Sequence, residues 1–583
     1  MLDGWLVALF ALLSPVGGST APAGTGRLLE VGPGDTIQSV LWQARSGDRI
    51  RISGPHEERI FPTFDITLEA GEDGLLMGRD GPALTIGAGM TVRIAGLGLQ
   101  RRDSTGLPGG PVISVRDGQL LAIDARIIAD SHEALRVSAH GSAELKETLC
   151  RSERGTALRV GDHSVVQVEG GRIEGGPRPA VLVSELGRTS LTGCRISGRD
   201  TLVRLEDDAF FGMAGGLLEG GKKGLVLAQR ATARLHAVSV EAQQEAGLAL
   251  TDKTDLAVNE ATVSPKTGVA LALGGDARLI SRRTTWTGSP ARAALLGVQA
   301  VWLGLGDRWT GWTREGVTVA DHAVLAHRGL VVRQLPHAAL QVSGGSRVLL
   351  DEPDVQGLSG DGIVLVDDAR LSLKGGRFTQ IGRDVVVAEG RSRVTLENIE
   401  FNEGRRHAVV CGDEARVLVR GGQARGFREA AMMVRGKGQV RLEGVRLIEH
   451  LGIAALAIGD GRLDLDNCDL RGGRQGLAYL GRSTGEVISC RIFDHKADGV
   501  TVQDMARPVL RGIEIRGQGQ AGLRVLDGAR PLLERSVLAG NEVGLSVEAP
   551  GHTRGQPLLG LNRVSGNRFL DHEGLLPGPM LRD

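Results

Sequence analysis

Leu373-Lys-Gly-Gly-Arg-Phe378 is followed by Leu396-Glu-Asn-Ile-Glu-Phe401, Val419-Arg-Gly-Gly-Gln-Ala424, Leu442-Glu-Gly-Val-Arg-Leu447 and Leu465-Asp-Asn-Cys-Asp-Leu470. Val487-Ile-Ser-Cys-Arg-Ile492, Leu510-Arg-Gly-Ile-Glu-Ile515 and Leu533-Glu-Arg-Ser-Val-Leu538 continue the series, with a step of 23 residues and a single step of 22. Apolar and polar residues alternate within each unit, which is the pattern of a strand. The third position is repeatedly Gly or Asn (Gly375, Asn398, Gly421, Gly444, Asn467, Gly512). Those residues accept the left-handed backbone that a sharp corner between short strands requires. A second strand precedes each unit, as in Gly362-Ile-Val-Leu-Val366 and Gly522-Leu-Arg-Val525, and a turn such as Asp367-Asp368 or Asp527-Gly528 joins the two.

The register extends backward through Leu350, Val258, Leu235, Met213, Leu191, Val168 and Leu145 to Ile123. A unit this short cannot bury its own apolar face, and stacking on its neighbours both buries that face and pairs the strand edges. The expectation is an all-β, right-handed parallel β-helix of roughly twenty coils, about 100 Å long at the usual strand spacing. Helical solenoids use longer units with a 3.6-residue period, and the leucine-rich-repeat pattern is missing.

The composition agrees: of 583 residues 87 are Gly, aromatics make up 3% and Tyr occurs once. Lys plus Arg and Asp plus Glu are both 69, so there is no broad basic field and no nucleic-acid partner is expected. The apolar run from Trp5 to Leu13, followed by small residues to Ala23, reads as a signal-peptide core, although Asp3 stands where a basic residue is usual. The expected layout is a leader over 1–25, a solenoid over 30–570 and a tail over 571–583. Residues 35–45 are read as a capping helix with Asp35 and Gln38 in a capping box. The one evident insertion runs from Ser104 to Pro111, and no later segment is apolar enough to span a bilayer.

Thr36-Ile37-Gln38, then Ser46-Gly47-Asp48, and the Gly-Leu/Ile-x-Val coils from 362 to 547 resemble the pectin-lyase-like β-helix superfamily, including β-helix repeat and NosD-like proteins. The resemblance implies the fold. On activity it implies only a range: lyases, hydrolases, epimerases, tailspike-type proteins and non-catalytic scaffolds. The polygalacturonase set of Asn-Thr-Asp, Asp-Asp, Gly-His-Gly and Arg-Ile-Lys is absent, and Asp207-Asp208 and Asp367-Asp368 occupy turn slots. No phosphate loop, zincin helix or nucleophile elbow occurs.

The candidate catalytic group is Glu449-His450 together with Asp494-His495 two coils later, with Arg471 and Arg474 between them as substrate-binding residues. Carboxylates and imidazoles gathered on one edge are what acid/base chemistry on a polysaccharide needs. The alternative is that corners are simply polar. Trp302 and Trp312 are a candidate sugar-stacking platform, with core or turn packing the favoured alternative, while Trp286 and Trp309 lie 23 apart and should stack. Asp351, Lys374, Glu397, Arg420 and Glu443 alternate in charge at the second position, which suits a surface ion-pair ladder better than a calcium site. The fifth position carries Arg172, Arg195, Arg377, Arg446 and Arg491, either a solvated face or a row for an acidic polysaccharide. Cys150, Cys194, Cys411, Cys468 and Cys490 are an odd set, and Cys468 and Cys490 should stack in the core. No metal or cofactor is expected. The reading favoured is an exported, non-catalytic binding or structural scaffold at the cell envelope, with glycan as the candidate ligand. The alternative is a polysaccharide lyase, glycoside hydrolase or epimerase.

Overall fold

A computed structural model describes residues 26–102, 110–288, 293–314, 316–548 and 558–573. Each full coil lays down three short strands, as in Val386–Ala388, Arg393–Glu397 and Glu400–Asn402. The middle strand of every coil joins a 24-stranded sheet, and the other two pair with their equivalents above and below in a 43-stranded sheet. The pairing is parallel throughout. The protein is an all-β parallel solenoid.

The sequence register is the structural register. Leu350, Leu373, Leu396, Val419, Leu442, Leu465, Val487, Leu510 and Leu533 sit directly over one another, and none is more than 2% exposed. A fully buried side chain of this kind contributes about 1.5–3 kcal/mol, and it does so only when the neighbouring coil covers it. The single 22-residue step is absorbed between His450 and Ile453, where the 12-residue strand Arg446–Ala457 pairs with the 11-residue strand Asp469–Tyr479. The corner positions are left-handed as expected, including Gly375, Gly421 and Asn398 at φ near +60°.

Two expectations are corrected. Ile123 is not in the apolar column: Ala122 pairs with Leu145, and Ile123 is 53% exposed. The small Ala122 hid the true register, because a one-residue slip in a strand exchanges the two faces. Near the N-terminus only a single helical turn forms, Ile37–Leu41, with Ile37 and Leu41 buried. Its free amides are not served by a capping box. The Glu58 carboxylate, from the next coil, accepts the N–H groups of Ile37 and Gln38 at 2.8 and 3.1 Å, and Asp35 instead accepts the Gly32 N–H.

The last described strand, Leu570–Glu573, still pairs with Val543–Val547, so the stack continues slightly past residue 570. The leader, residues 103–109 of the insertion and the tail from 574 onward lie outside the described residues. Among the described residues no helix is long and apolar enough to cross a membrane.

Candidate functional site

The corner holding Glu449 and Asp494 is a column of left-handed residues. Gly426, Glu449, Gly472, Asp494, Gly517 and Gly540 all have φ between +53° and +76°. A left-handed residue breaks strand alternation, so it points to the same side of the wall as its predecessor, and its successor turns to the other. Glu449 therefore faces solvent, where Arg425 donates to its carboxylate at 2.6 and 3.0 Å. Asp494 likewise faces out, 3.5 Å from Arg471. His450 and His495 turn inward and are 0% and 1% exposed. The four groups expected to act together are split by the wall, and Arg474 remains on the outer surface.

The histidines belong to a buried ladder of side chains that satisfies strand amides of adjacent coils. Phe427 N–H donates to His450 Nδ1 at 3.3 Å. The His495 N–H donates to Gln518 Oε1, Gln518 N–H to Asn541 Oδ1, and Asn541 N–H to Asn567 Oδ1, at 3.0–3.1 Å. Because Gln518 Nε2 donates to two carbonyls, its Oε1 is an acceptor, so the His495 Nδ1 at 3.1 Å carries the proton. His450 holds its proton on Nε2, and neither Nε2 has a partner. Burial, aided by the neighbouring imidazole of His495, depresses His450 to about 3. Burial likewise depresses His495 to about 4. Both rings are neutral at pH 7.

The tryptophans form an interior cluster. Trp286 and Trp309 stack in register, but Trp302 and Trp312 are also buried, at 1% exposure, so they do not form a surface platform. Trp302 packs edge-on against Trp286 at 5.2 Å and lies 5.4 Å from Trp309. Asp307, fully buried, organises the cluster by accepting from Thr284 N–H at 2.9 Å, Trp286 Nε1 at 3.3 Å and the Ser281 hydroxyl. Its Oδ2 also lies 3.1 Å from His327 Nε2. Gly304 is required here, because a Cβ would stand 1.8 Å from His327 Nε2. Interior volume has no periodic signature, which is why the sequence left these rings open between core and surface.

The five cysteines are free and buried. Cys468 and Cys490 stack as expected, with the Cys468 N–H 3.3 Å from the Cys490 sulfur, and burial pushes the Cys150 thiol up to about 12. Among the described residues no group of three His, Cys, Asp or Glu side chains is placed to hold a metal ion. The second-position ladder is formed in part: Arg420 pairs with Glu443 at 3.0 Å and Glu397 at 3.8 Å, while Asp351 pairs with Arg328 at 3.5 Å and Lys374 makes no ion pair among the described residues. In the fifth-position row Arg377 pairs with Glu400 at 3.6 Å and Arg491 with Asp469 at 3.7 Å.

One cluster escaped the sequence reading. His407 lies between two carboxylates, with Nδ1 2.7 Å from Asp384 and Nε2 3.3 Å from Glu429, and Arg406 reaches both acids at 3.3 Å. The signal was present, since Asp361, Asp384 and His407 follow one another at 23-residue steps. Burial works to raise the Asp384 carboxyl, but His407 and Arg406 outweigh it and hold it below the usual range. A depressed carboxylate stabilises the fold above its unfolded value near pH 4, and that stabilisation is lost as pH falls through the folded value. Asp384→Asn is expected to cost about 1–3 kcal/mol at pH 7. Thermal melts should show the gap to the unaltered protein closing below about pH 4.

These features define a β-solenoid whose polar groups run in ladders along the coil axis. A family model described as a right handed beta helix region matches residues 430–574. With the parallel stack, it supports a right-handed β-helix over that part of the chain. No curated protein matches the chain. Among solved structures, a mutant of the periplasmic alginate epimerase AlgG is 8% identical, with 63% of this chain and 74% of that chain covered and a TM-score of 0.24. The PL6 family alginate lyase AlyGC is 8% identical over 93% and 100% of the two chains, with a TM-score of 0.23. The receptor-binding domain of the Siphovirus 9NA tailspike is 9% identical over 81% and 74%, with a TM-score of 0.24. No residue here takes a role from them.

Proposed function

We propose that this chain is an exported β-helix scaffold that holds an extended glycan of the cell envelope against its outer face. The observation that carries this reading is the arrangement of outward side chains in columns along the coil axis, one residue per coil, as in Asp351, Lys374, Glu397, Arg420 and Glu443. Such a surface repeats along a line, which suits a linear polymer of repeating units. The apolar run from Trp5 to Leu13 supports export.

The test is a glycan array spanning neutral and acidic polymers, with released uronate, new reducing ends and polymer stereochemistry followed on the bound glycans. Retention of a glycan with no change in it is the expected result. Unsaturated or shortened products, or inverted uronates, would replace the scaffold with a lyase, hydrolase or epimerase.

A further inference from the structure

Between Arg278 and Leu418, consecutive coils of the 24-stranded sheet turn an unusual set of side chains outward. The first outward column holds Arg278, Arg347, Arg370, Arg393 and Arg416, with Val301 and Val324 between the first two. The second holds Ile280, Leu303, Ala326 and Leu349, then Ser372, Thr395 and Leu418. Neither column contains an acid across this stretch, although the chain as a whole is neutral. The arginines of the first column are exposed, and among the described residues none of them makes an ion pair or a side-chain hydrogen bond. Carboxylates on the adjoining corner are committed elsewhere: Asp368 binds Arg391 at 2.9 Å, Glu389 binds Arg435, and Asp413 accepts the Gly390 N–H at 3.0 Å. Like charges facing one another across strands are destabilising, so the row from Arg347 to Arg416 is left uncompensated in the free protein.

The N-terminal part of the same face is aliphatic. Ile280, Val301, Leu303, Leu305, Val324 and Leu349 adjoin one another over successive coils. They make a patch about 14 Å on a side, and Leu349 is 47% exposed. The corner that leads into it adds Val298, which is 57% exposed and left-handed at φ +44°. The equivalent corners of neighbouring coils are Gly275, Asp321, Gly344 and Asp367. Those residues accept this backbone, whereas a β-branched side chain is strained there. The strain holds one more isopropyl group beside Val301. Along the margin, the acids are already paired: Asp351 with Arg328 at 3.5 Å and Glu397 with Arg420 at 3.8 Å.

We infer that this face docks on the surface of an anionic phospholipid bilayer, with the aliphatic patch in the headgroup layer and the arginine row on lipid phosphates. The strands of these coils pair in unbroken register, so their outward side chains form a plane that meets a surface all at once. Buried apolar area joined to cationic charge is how peripheral proteins hold anionic bilayers. A second copy fits less well, since both faces would carry the same excess of positive charge. Nucleic acid single strands are gripped by aromatic stacking, and neither outward column holds an aromatic residue. A soluble polyanion would leave the aliphatic patch uncovered. The inference goes beyond the scaffold reading and does not depend on it. Columns on the other two strands of each coil, such as Arg377, Glu400, Gln423 and Arg446, stay open to a glycan.

Co-sedimentation of the full chain with vesicles tests this, using phosphatidylcholine alone and an equal mixture of phosphatidylcholine and phosphatidylglycerol. The protein should bind the mixed vesicles about tenfold more strongly than phosphatidylcholine and be released by salt. Arg370→Gln with Arg393→Gln should weaken binding to the mixed vesicles about thirtyfold, roughly fivefold for each charge. Leu303→Ser with Leu349→Ser should weaken it about tenfold and leave the salt dependence as it was. Arg377→Gln with Arg446→Gln removes the same charge from another face and should change neither. All these side chains point outward, and unchanged melting curves would confirm that the variants fold. No binding to the mixed vesicles, equal binding to both kinds, or equal loss from the two arginine pairs would overturn the assignment of this face. Row-dependent capture of oligothymidylate in place of vesicles would overturn the partner. Glycan retention on the array should be the same for the parent and for the variants of this face, so either reading can fail without the other.

Discussion

Taking this protein from pH 7 to pH 4 is expected to destabilise it by about 2–3 kcal/mol for each of two residues, His450 and His495. Both rings sit in the wall with burial as the main cause of their depressed values, about 3 and about 4. An imidazole that is harder to protonate when folded stabilises the native state fully above its unfolded pKa near 6.5. That contribution is lost as pH falls from there towards the folded value. The loss therefore belongs to the window between about pH 6.5 and 4, above the range in which most carboxylates titrate. Asparagine is the natural replacement, because Asn541 already fills a rung of the same ladder and accepts the Gln518 N–H at 3.0 Å. His450→Asn and His495→Asn should each lose about 1–2 kcal/mol at pH 7 from the missing ring volume and melt higher than the parent at pH 4.5. Circular-dichroism melts across pH 4–8 measure this. Parallel pH profiles for the variants and the parent would show that the rings do not carry the acid sensitivity.

Asp307→Ala is expected to cost about 3–5 kcal/mol at neutral pH, as removal of one member of a buried polar network generally does. The carboxylate serves Thr284 N–H, Trp286 Nε1, the Ser281 hydroxyl and His327 at once. Trp302 Nε1 in turn donates to Ser281 Oγ at 2.7 Å. Losing Asp307 strands several donors in the core and leaves a cavity among three indoles. Because each coil leans mainly on its neighbours, the damage should be local. Hydrogen exchange should accelerate over roughly residues 278–333 while coils beyond 440 keep their protection. Unchanged exchange around Trp302 and Trp309 would mean the network does not hold the cluster.

The coils from Leu350 to Leu533 were legible because their apolar members are large and their spacing nearly constant. Where a small residue took the inward slot, as at Ala122, its bulkier neighbour Ile123 drew the register one place too far. The corner sites were misjudged for a different reason. Both members of Glu449-His450 and of Asp494-His495 were placed together on one outer edge, whereas the left-handed residue in each pair stays outside and sends its successor inside. Sequence periodicity reports which residues stack, but the direction of a side chain beyond a corner depends on the backbone there. The arginine row was within reach: Arg370, Arg393 and Arg416 each stand three residues before Leu373, Leu396 and Val419. Reading the units from their first apolar residue left the start of the strand out of view.

Every site described here depends on one continuous stack, and small-angle X-ray scattering measures that most directly. The 24 strands of the long sheet span about 110 Å at the usual strand spacing. A rod of that length has a radius of gyration of about 33 Å, against about 25 Å for a compact globule of the same chain length. A distance distribution that peaks near the rod's width and tails to about 110 Å is the predicted result. A symmetric distribution with the smaller radius would contradict the stack and the ladders built on it.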